Sequence, residues 1–286
     1  MLSPGPGAAA GEQRFEFFRF RFWFRAVEEL RFPPGQSANL VRGAFGKLLR
    51  ETAPLEAYRS LFEPGGATRQ GPSGLADWPR PFVFRCAHLD GAVFSPGAPF
   101  FWDAHVFELR SAVLPYFRAA FERLPRTALT GIQELDLADR LRPGPCSLSL
   151  AGAPGSVATV TLRFVTPTEL KAGGRVADRP EFAFLFGRIR DRIATLRSLY
   201  SCRPLDVDFR ALGERAARVR LVRSDLTWEY ASRKSGRTGQ THPLGGFTGE
   251  AEYEGELAEF LPWLQAARWA GVGRQTVWGK GEVHLV

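Results

Sequence analysis

Hydrophobic and polar positions alternate with a period of two through "RFEFFRFRFWFRA" near the start of the chain, the period of an extended strand. Phe18, Phe20, Phe22 and Phe24 fall on one side and read as core. Arg19, Arg21, Trp23 and Arg25 fall on the other, with Phe15 and Phe17 earlier on that side. This second face suits two surroundings: an RNA-facing sheet on which bases stack, or the underside of a neighbouring domain. A turn, "RFPPGQSA", leads to a helix at 38–52 whose apolar stripe is Leu40, Val41, Ala44, Phe45, Leu48 and Leu49. Strands follow in "FVFRCAHL" and "FFWDAHVFEL", then a helix at 112–124 that takes Pro115 in its first turn. "GIQELDLADRL" reads as a closing strand.

The stretch "RPGPCSLSLAGAPGS" is a linker by its Pro, Gly and Ser content, and after it the same order recurs. "VATVTLRFVTP" alternates as a strand. "EFAFLFGRIRDRIATLRSLY" is an amphipathic helix with Phe182, Leu185, Phe186, Ile189, Ile193 and Leu196 inward and Arg188, Arg190, Arg192 and Arg197 outward. Strands in "ARVRLVRSDLTWEY" and "GGFTGEAEYEG", a helix in "LAEFLPWLQAARWA" and a last strand in "EVHLV" complete the set. The doubled order predicts an α+β protein of tandem ferredoxin-like (RRM-like) domains with a C-terminal glycine-rich loop. The expected boundaries are a flexible leader at 1–13, an N-terminal domain at 14–142, a linker at 143–156 and a C-terminal domain at 157–286.

Composition narrows this further. The 286 residues leave room for two cores, and 44% hydrophobic content with 24 Phe is globular. A net charge of +8 carried mostly by arginine fits a polyanionic partner, and fits equally a chain whose lysine codons have drifted to arginine. Cys86, Cys146 and Cys202 lie far apart without a CxxC pair, which argues against a zinc site or disulfide framework and fits a reducing cytoplasm. No apolar run has membrane-spanning length, and "MLSPGPGAAAGEQ" lacks the basic start of a signal peptide.

The chemistry concentrates at the end, in "ARWAGVGRQTVWGKGEVHLV", where Gly271, Gly273, Gly279 and Gly281 surround Arg274 and Lys280. Either this is a tight turn, or the backbone is bared so that a phosphate can approach. The loop follows a helix and precedes a strand, the reverse of a dinucleotide fingerprint, and Thr276 stands where its third glycine belongs. There is no GxxxxGK[ST], no GxSxG and no cluster of paired carboxylates for two metals, so no cofactor or metal is expected.

"HPLGGFTGEAEYEGEL" followed by "FLPWLQAARWAGVGRQTVWGKGEV" resembles the C-terminal signature of the CRISPR repeat-processing endoribonucleases of the RAMP superfamily. "FPPGQSANLVRGAFGKLL", "YRSLFEP", "WPRPFVFR" and "FVTPTELKAGG" resemble other parts of the same family, so the resemblance touches both halves. It implies metal-independent cleavage of precursor crRNA by the 2′-hydroxyl beside the scissile phosphate. The implied partners are CRISPR repeat RNA and crRNA, and other subunits of an effector complex if the chain has lost chemistry and only holds the guide. It implies RNA contacts at Arg233, Lys234, Arg237, Gly271, Gly273, Arg274, Gly279, Lys280 and Gly281. Many members carry a catalytic histidine on or just before the first helix, and here that stretch has none; Arg42 and Lys47 stand there instead. They and His242, a histidine in the basic segment "SRKSGRTGQTHPLGG", are the catalytic candidates. Lys47 reads equally as a solvated helix lysine, and His88, His105 and His284 as packed or edge histidines of strands.

Overall fold

The computed structural model describes residues 13–65, 78–172, 175–201, 204–230, 232–234, 241–243 and 245–286. In chain order the first half runs β1 (Arg14–Ala26), β2 (Leu30–Arg31), α1 (Ser37–Thr52), α2 (Leu55–Phe62), β3 (Phe82–Arg85), β4 (Val93–Phe94), β5 (Pro99–Val106), α3 (Leu114–Phe121), β6 (Thr127–Glu134) and β7 (Cys146–Ser149). The second runs β8 (Thr159–Thr168), β9 (Lys171–Ala172), β10 (Arg175–Val176), α4 (Phe182–Tyr200), α5 (Phe209–Ala216) and β11 (Arg220–Glu229). It closes with β12 (Ser232–Lys234), β13 (Thr241–Pro243), β14 (Gly246–Glu254), α6 (Leu261–Ala270) and β15 (Val283–Leu285). The sheet orders are β3-β5-β1-β6 and β11-β14-β8-β15, each with the first strand of its unit in the middle. Both are the antiparallel ferredoxin-like arrangement, so the tandem fold stands.

Each sheet buries one face under its helices. Phe20, Phe22 and Phe24 of β1 pack with Phe45 of α1 and Phe117 and Phe121 of α3 in the first core. Phe182, Phe186, Tyr253, Phe260 and Trp263 anchor the second. The other face of β1 resolves the choice left open by its alternation. Phe15 and Phe17 belong to the second core, and Arg19 is buried with its guanidinium 4.5 Å from the Trp269 ring. Arg19 and Arg21 both pair with Asp103. This face packs beneath the neighbouring domain over much of its length.

Several expected elements differ. Within the stretch 143–156, Cys146–Ser149 forms a strand on the same edge of β1 that β6 uses further along, pairing Phe15 with Leu148 and Phe17 with Cys146. The closing strand runs over Thr127–Glu134 and stops before "DLADRL", because the Asp136 carboxylate accepts the N–H groups of Ala138 and Arg140 and folds the chain into a turn. The strand expected through "FVFRCAHL" ends at Arg85, and Ala87–Leu89 is a one-turn 3₁₀ helix. The arginines of α4 do not form a free outward face. Arg188 donates to Lys171 O, Arg190 to Phe209 O, Arg192 to Ala270 O and Arg197 to Arg14 O.

The two halves meet at the C-terminal end of α6. The last carbonyls of a helix lack intrahelical partners and carry the negative end of its dipole. Here they receive donors from both halves: across the seam Arg85 Nη2 donates to Arg268 O at 2.8 Å and His105 Nδ1 to Trp269 O at 2.9 Å, and from α4 of the same half Arg192 Nε donates to Ala270 O at 2.7 Å. Burial holds the His105 pKa well below its ordinary 6.5, with Arg85 adding to the effect, so the ring is a neutral donor.

The sign of the resulting pH dependence follows. Below about 6.5 the unfolded chain protonates this histidine and the folded chain does not, so stability is lost as pH falls through 6.5, by up to about 1.4 kcal/mol per pH unit. Glu282 leaves that window undisturbed, since its carboxyl, lowered from 4.5 to about 2, gives up its contribution only between those values. The expected result is a Tm that drops between pH 7 and 5.5, with a shallower drop for His105→Asn, which keeps a donor but cannot titrate. Identical slopes for the two proteins would refute the assignment.

Candidate nucleic-acid interface

The glycine-rich loop leaves α6 and is stapled to the end of β8. Val272 N–H donates to Gly281 O, Arg274 N–H to Glu169 O and Gly281 N–H to Pro167 O. Gly271 and Gly279 N–H also bond to internal carbonyls, of Ala267 and Thr276. Much of the loop's backbone donor capacity is therefore spent within the protein. What the sequence reads as bareness toward a ligand is, at three positions (Gly273, Gly279 and Gly281), bareness toward the protein itself. Gly281 has φ +71° and a Cβ there would overlap Val272 O. Gly279 has φ +77° and a Cβ there would overlap the Cβ of Ala38 on α1.

That contact docks the loop on the first domain. Lys280 is buried and its Nζ donates to Gly35 O, just before α1, at 3.2 Å. Burial lowers the Lys280 pKa, with Asp90 and Glu229 opposing. Trp278 lies 5.6 Å from the Arg42 guanidinium, whose other neighbour is the Phe62 ring at 4.7 Å. α1 has no side-chain cap from its own Gln36. Asp90 supplies one from the 3₁₀ turn, its Oδ1 accepting from Ser37 N at 2.9 Å and Ser37 Oγ at 2.5 Å. The turn, the start of α1 and the loop thus interlock around one interdomain cleft of about 560 Å³.

The cleft is lined by Arg85, His88 and Asp90 of the first domain and by Trp278, Lys280 and Glu282 of the second, with Glu229 at the end of β11. Its carboxylates are engaged. Asp90 caps α1, Glu229 accepts from Thr248, and Glu282 lies 3.8 Å from Arg85 Nη1 and accepts from His284. Burial opposes ionisation of Glu282, but Arg85 and His284 outweigh it and hold its carboxyl at about 2. Arg85 is buried, and among the described residues its Nε and Nη1 have no hydrogen-bond acceptor.

The residues expected from sequence scatter around this cleft. Gly279 and Lys280 line it. Gly271, Gly273 and Gly281 shape the loop behind, and Arg274 pairs with the buried Glu169 at 2.5 Å. Arg42 is buried beneath Trp278, and Lys47 is exposed on α1 away from the lining. The basic segment is a hairpin rather than a loop throughout, with Arg233 opposite His242 and Lys234 opposite Thr241. It joins β11 and β14 next to Glu229, at the edge of the cleft, and Arg237 lies outside the described residues. Of the other histidines, His105 is committed to α6 and His284 lies on β15 against Glu282. His88, read from sequence as a strand residue, stands in the cleft. The signal for that was the "HLDG" turn ending the strand, where Asp90 and Gly91 mark a break. Among the described residues no helix is long and apolar enough to cross a membrane, and no group of His, Cys, Asp and Glu could hold a metal ion.

Fold and cleft together define a tandem ferredoxin-like protein whose C-terminal glycine-rich loop seals one side of an interdomain groove. A family model described as CRISPR-associated endoribonuclease Cas6 matches residues 162–283, and another, described as an N-terminal domain, matches residues 15–139. Among solved structures, Thermus thermophilus Cas6 (TTHB231) is similar at 21% identity and a TM-score of 0.58, over 97% of this chain and 100% of that one. A product complex of Cas6 (TTHA0078) gives 17% identity and a TM-score of 0.58, over 95% and 99%. A partial Cas6-RT-Cas1–Cas2 complex gives 12% and 0.61, over 97% of this chain and 47% of that one. None of the curated proteins matches the chain in sequence. The C-terminal part of the chain thus matches the Cas6 family of CRISPR-associated endoribonucleases, and the whole chain shares the fold of solved Cas6 structures.

The packing of Gly279 on Ala38 has a direct test. Gly279→Ala places a side chain in left-handed backbone, at about 1–3 kcal/mol, and adds a steric overlap. Ala38→Gly removes the overlap but not the backbone strain. The double variant is expected to recover part of the Tm lost by Gly279→Ala; strictly additive losses would show that the two residues do not meet.

Proposed function

We propose that this chain binds CRISPR repeat RNA along the interdomain cleft and cuts precursor crRNA by attack of a 2′-hydroxyl on the adjacent phosphate, without a metal ion. The observation that supports this most is the docking of the glycine-rich loop on the start of α1. It gathers Lys280, Arg85 and a histidine from separate elements into a single cleft of ligand-binding size. Cleavage of this kind needs a base for the 2′-hydroxyl, a proton for the leaving 5′-oxygen and cations against the charge that grows on phosphorus.

Lys280 and Arg85 provide the positive charge in the cleft. Arg233, Lys234 and Arg237 are assigned RNA contacts by the family resemblance, with Arg233 paired opposite His242 in the hairpin register. Arg274 and the glycines Gly271, Gly273, Gly279 and Gly281 hold the loop against which the phosphate chain runs. In this reading Arg42 steadies Trp278, and Lys47 contributes charge from the exposed side of α1. His242 remains a proton-transfer candidate from the hairpin. A second reading, a subunit that holds the guide's end for an effector complex without cutting it, is favoured by the absence of a histidine from "PPGQSANLVRGAFGKLLRET".

The experiment is incubation of the purified protein with the repeat RNA of its own genome. The expected products carry a 2′,3′-cyclic phosphate and a 5′-hydroxyl, form undiminished in EDTA, and disappear when the scissile nucleotide lacks its 2′-hydroxyl. Affinity is expected to fall with salt at a slope of roughly −0.7 per phosphate contact for a single strand. Activity lost in EDTA and restored by magnesium would overturn the metal-free route. Tight binding without any cut would leave the guide-holding reading.

A further inference from the structure

We infer that His88 is the general base of this cleavage, acting through Nδ1, from the first domain's 3₁₀ turn rather than from the helix where the family resemblance leads one to look. The inference rests on the reading of the cleft as the site of RNA cleavage.

Three observations carry it. First, His88 is exposed and lines the cleft shared with Lys280, whereas His105 and His284 are committed elsewhere. Second, its orientation is set: the ring stacks on Phe101 with centroids 4.7 Å apart and an interplanar angle of 27°. Third, Nε2 lies 2.9 Å from Phe101 O. A backbone carbonyl can only accept, so this contact places the proton on Nε2 and leaves the Nδ1 lone pair available. An imidazole whose far nitrogen is held by an oxygen acceptor is a base in a fixed tautomer and a fixed direction. Asp90, two residues on, ties the same turn to the start of α1, so the ring keeps its place relative to the docked loop.

The step balances without further reagents. Nδ1 takes the 2′-hydroxyl proton as the O2′–P bond forms, the P–O5′ bond breaks, and a proton from the Lys280 ammonium reaches the 5′-oxygen. The proton on His88 then returns to Lys280 through solvent, and the products are a 2′,3′-cyclic phosphate and a 5′-hydroxyl. The charged groups that face the ring across the cleft are Arg85, Lys280, Asp90, Glu229 and Glu282, and Arg21 lies 4.2 Å from the far partner, the Phe101 ring.

The test is single-turnover cleavage of the repeat RNA by the full chain at saturating protein, from pH 5 to 9. His88→Ala is expected to cut about 10²-fold or more slowly, with RNA affinity within about threefold of the parent's. The rise of rate with pH that reports the base is expected to vanish, and added imidazole to restore part of the rate. Tm is expected to fall only slightly, by the loss of one surface ring stack and one hydrogen bond. If the parent cuts and His88→Ala cuts at the same rate with the same pH profile, the inference fails and the reading of the cleft survives. Loss of rate in His88→Ala with the parent's pH profile and no response to imidazole would likewise overturn it, by making the residue a structural one. If the parent binds the repeat RNA and never cuts it, the reading of the cleft falls and the inference falls with it.

Discussion

Everything near the cleft depends on how the C-terminal end of α6 is satisfied. A helix end buried at a domain seam presents carbonyls that water cannot reach, and each one left unpaired costs roughly 1–3 kcal/mol. The chain answers with two cationic arginines and one neutral histidine: Arg85 and His105 from the first domain, Arg192 from the second. Because two of these donors come from the other domain, the domains cannot slide without exposing the helix end. The glycine-rich loop begins at the next residue, so the same bonds that join the domains also set where the loop starts. Cations at the negative end of the helix dipole add to the hold.

This arrangement changes the meaning of the arginine content. A charge of +8 suggests a broad polyanion-binding surface, yet many of the arginines face inward to carbonyls and carboxylates. Arg19 and Arg21 meet Asp103, Arg274 meets Glu169, and the α4 arginines close on backbone oxygens from other elements. Arginine suits such work because its planar fork serves two or more acceptors while its charge persists in partly buried settings. The arginine charge is thus more local than composition implies, since many of these groups are spent on acceptors inside the protein.

The fold was largely legible in the sequence because it is written in periodicity. The alternation of β1 and β8 and the apolar stripes of α1 and α4 place the main elements of both ferredoxin-like units. What periodicity could not show was which partner each face meets. The odd-numbered face of β1 carries aromatic residues and arginines in either case, and only the tertiary position of Trp269 decides it. The strand β7 was hidden in a Pro- and Gly-rich segment because its four residues are too few to alternate visibly, and it pairs only because Phe15 and Phe17 need a covered edge. The glycines were found by their spacing, but their need for close approach to Ala38 and Val272 lies in contacts that no local pattern records. His88 reads as a strand residue for a related reason: the strand pattern runs on in sequence through Leu89, past the Arg85 that ends the strand.

A site assembled this way does not require its chemistry to stay on one element. The start of α1, the turn after β3 and the docked loop converge on the same cleft, and a functional group on any of them reaches the same space. The fixed points are the contacts between them: Asp90 on Ser37, Gly279 on Ala38, and Lys280 on Gly35. As long as those hold, a side chain on the turn after β3 faces the same space as one at the start of α1. The reverse is also true. A change at the seam beneath α6, far from any reacting atom, would displace the loop and with it Lys280, so residues such as His105 and Arg192 shape the cleft while touching none of its contents.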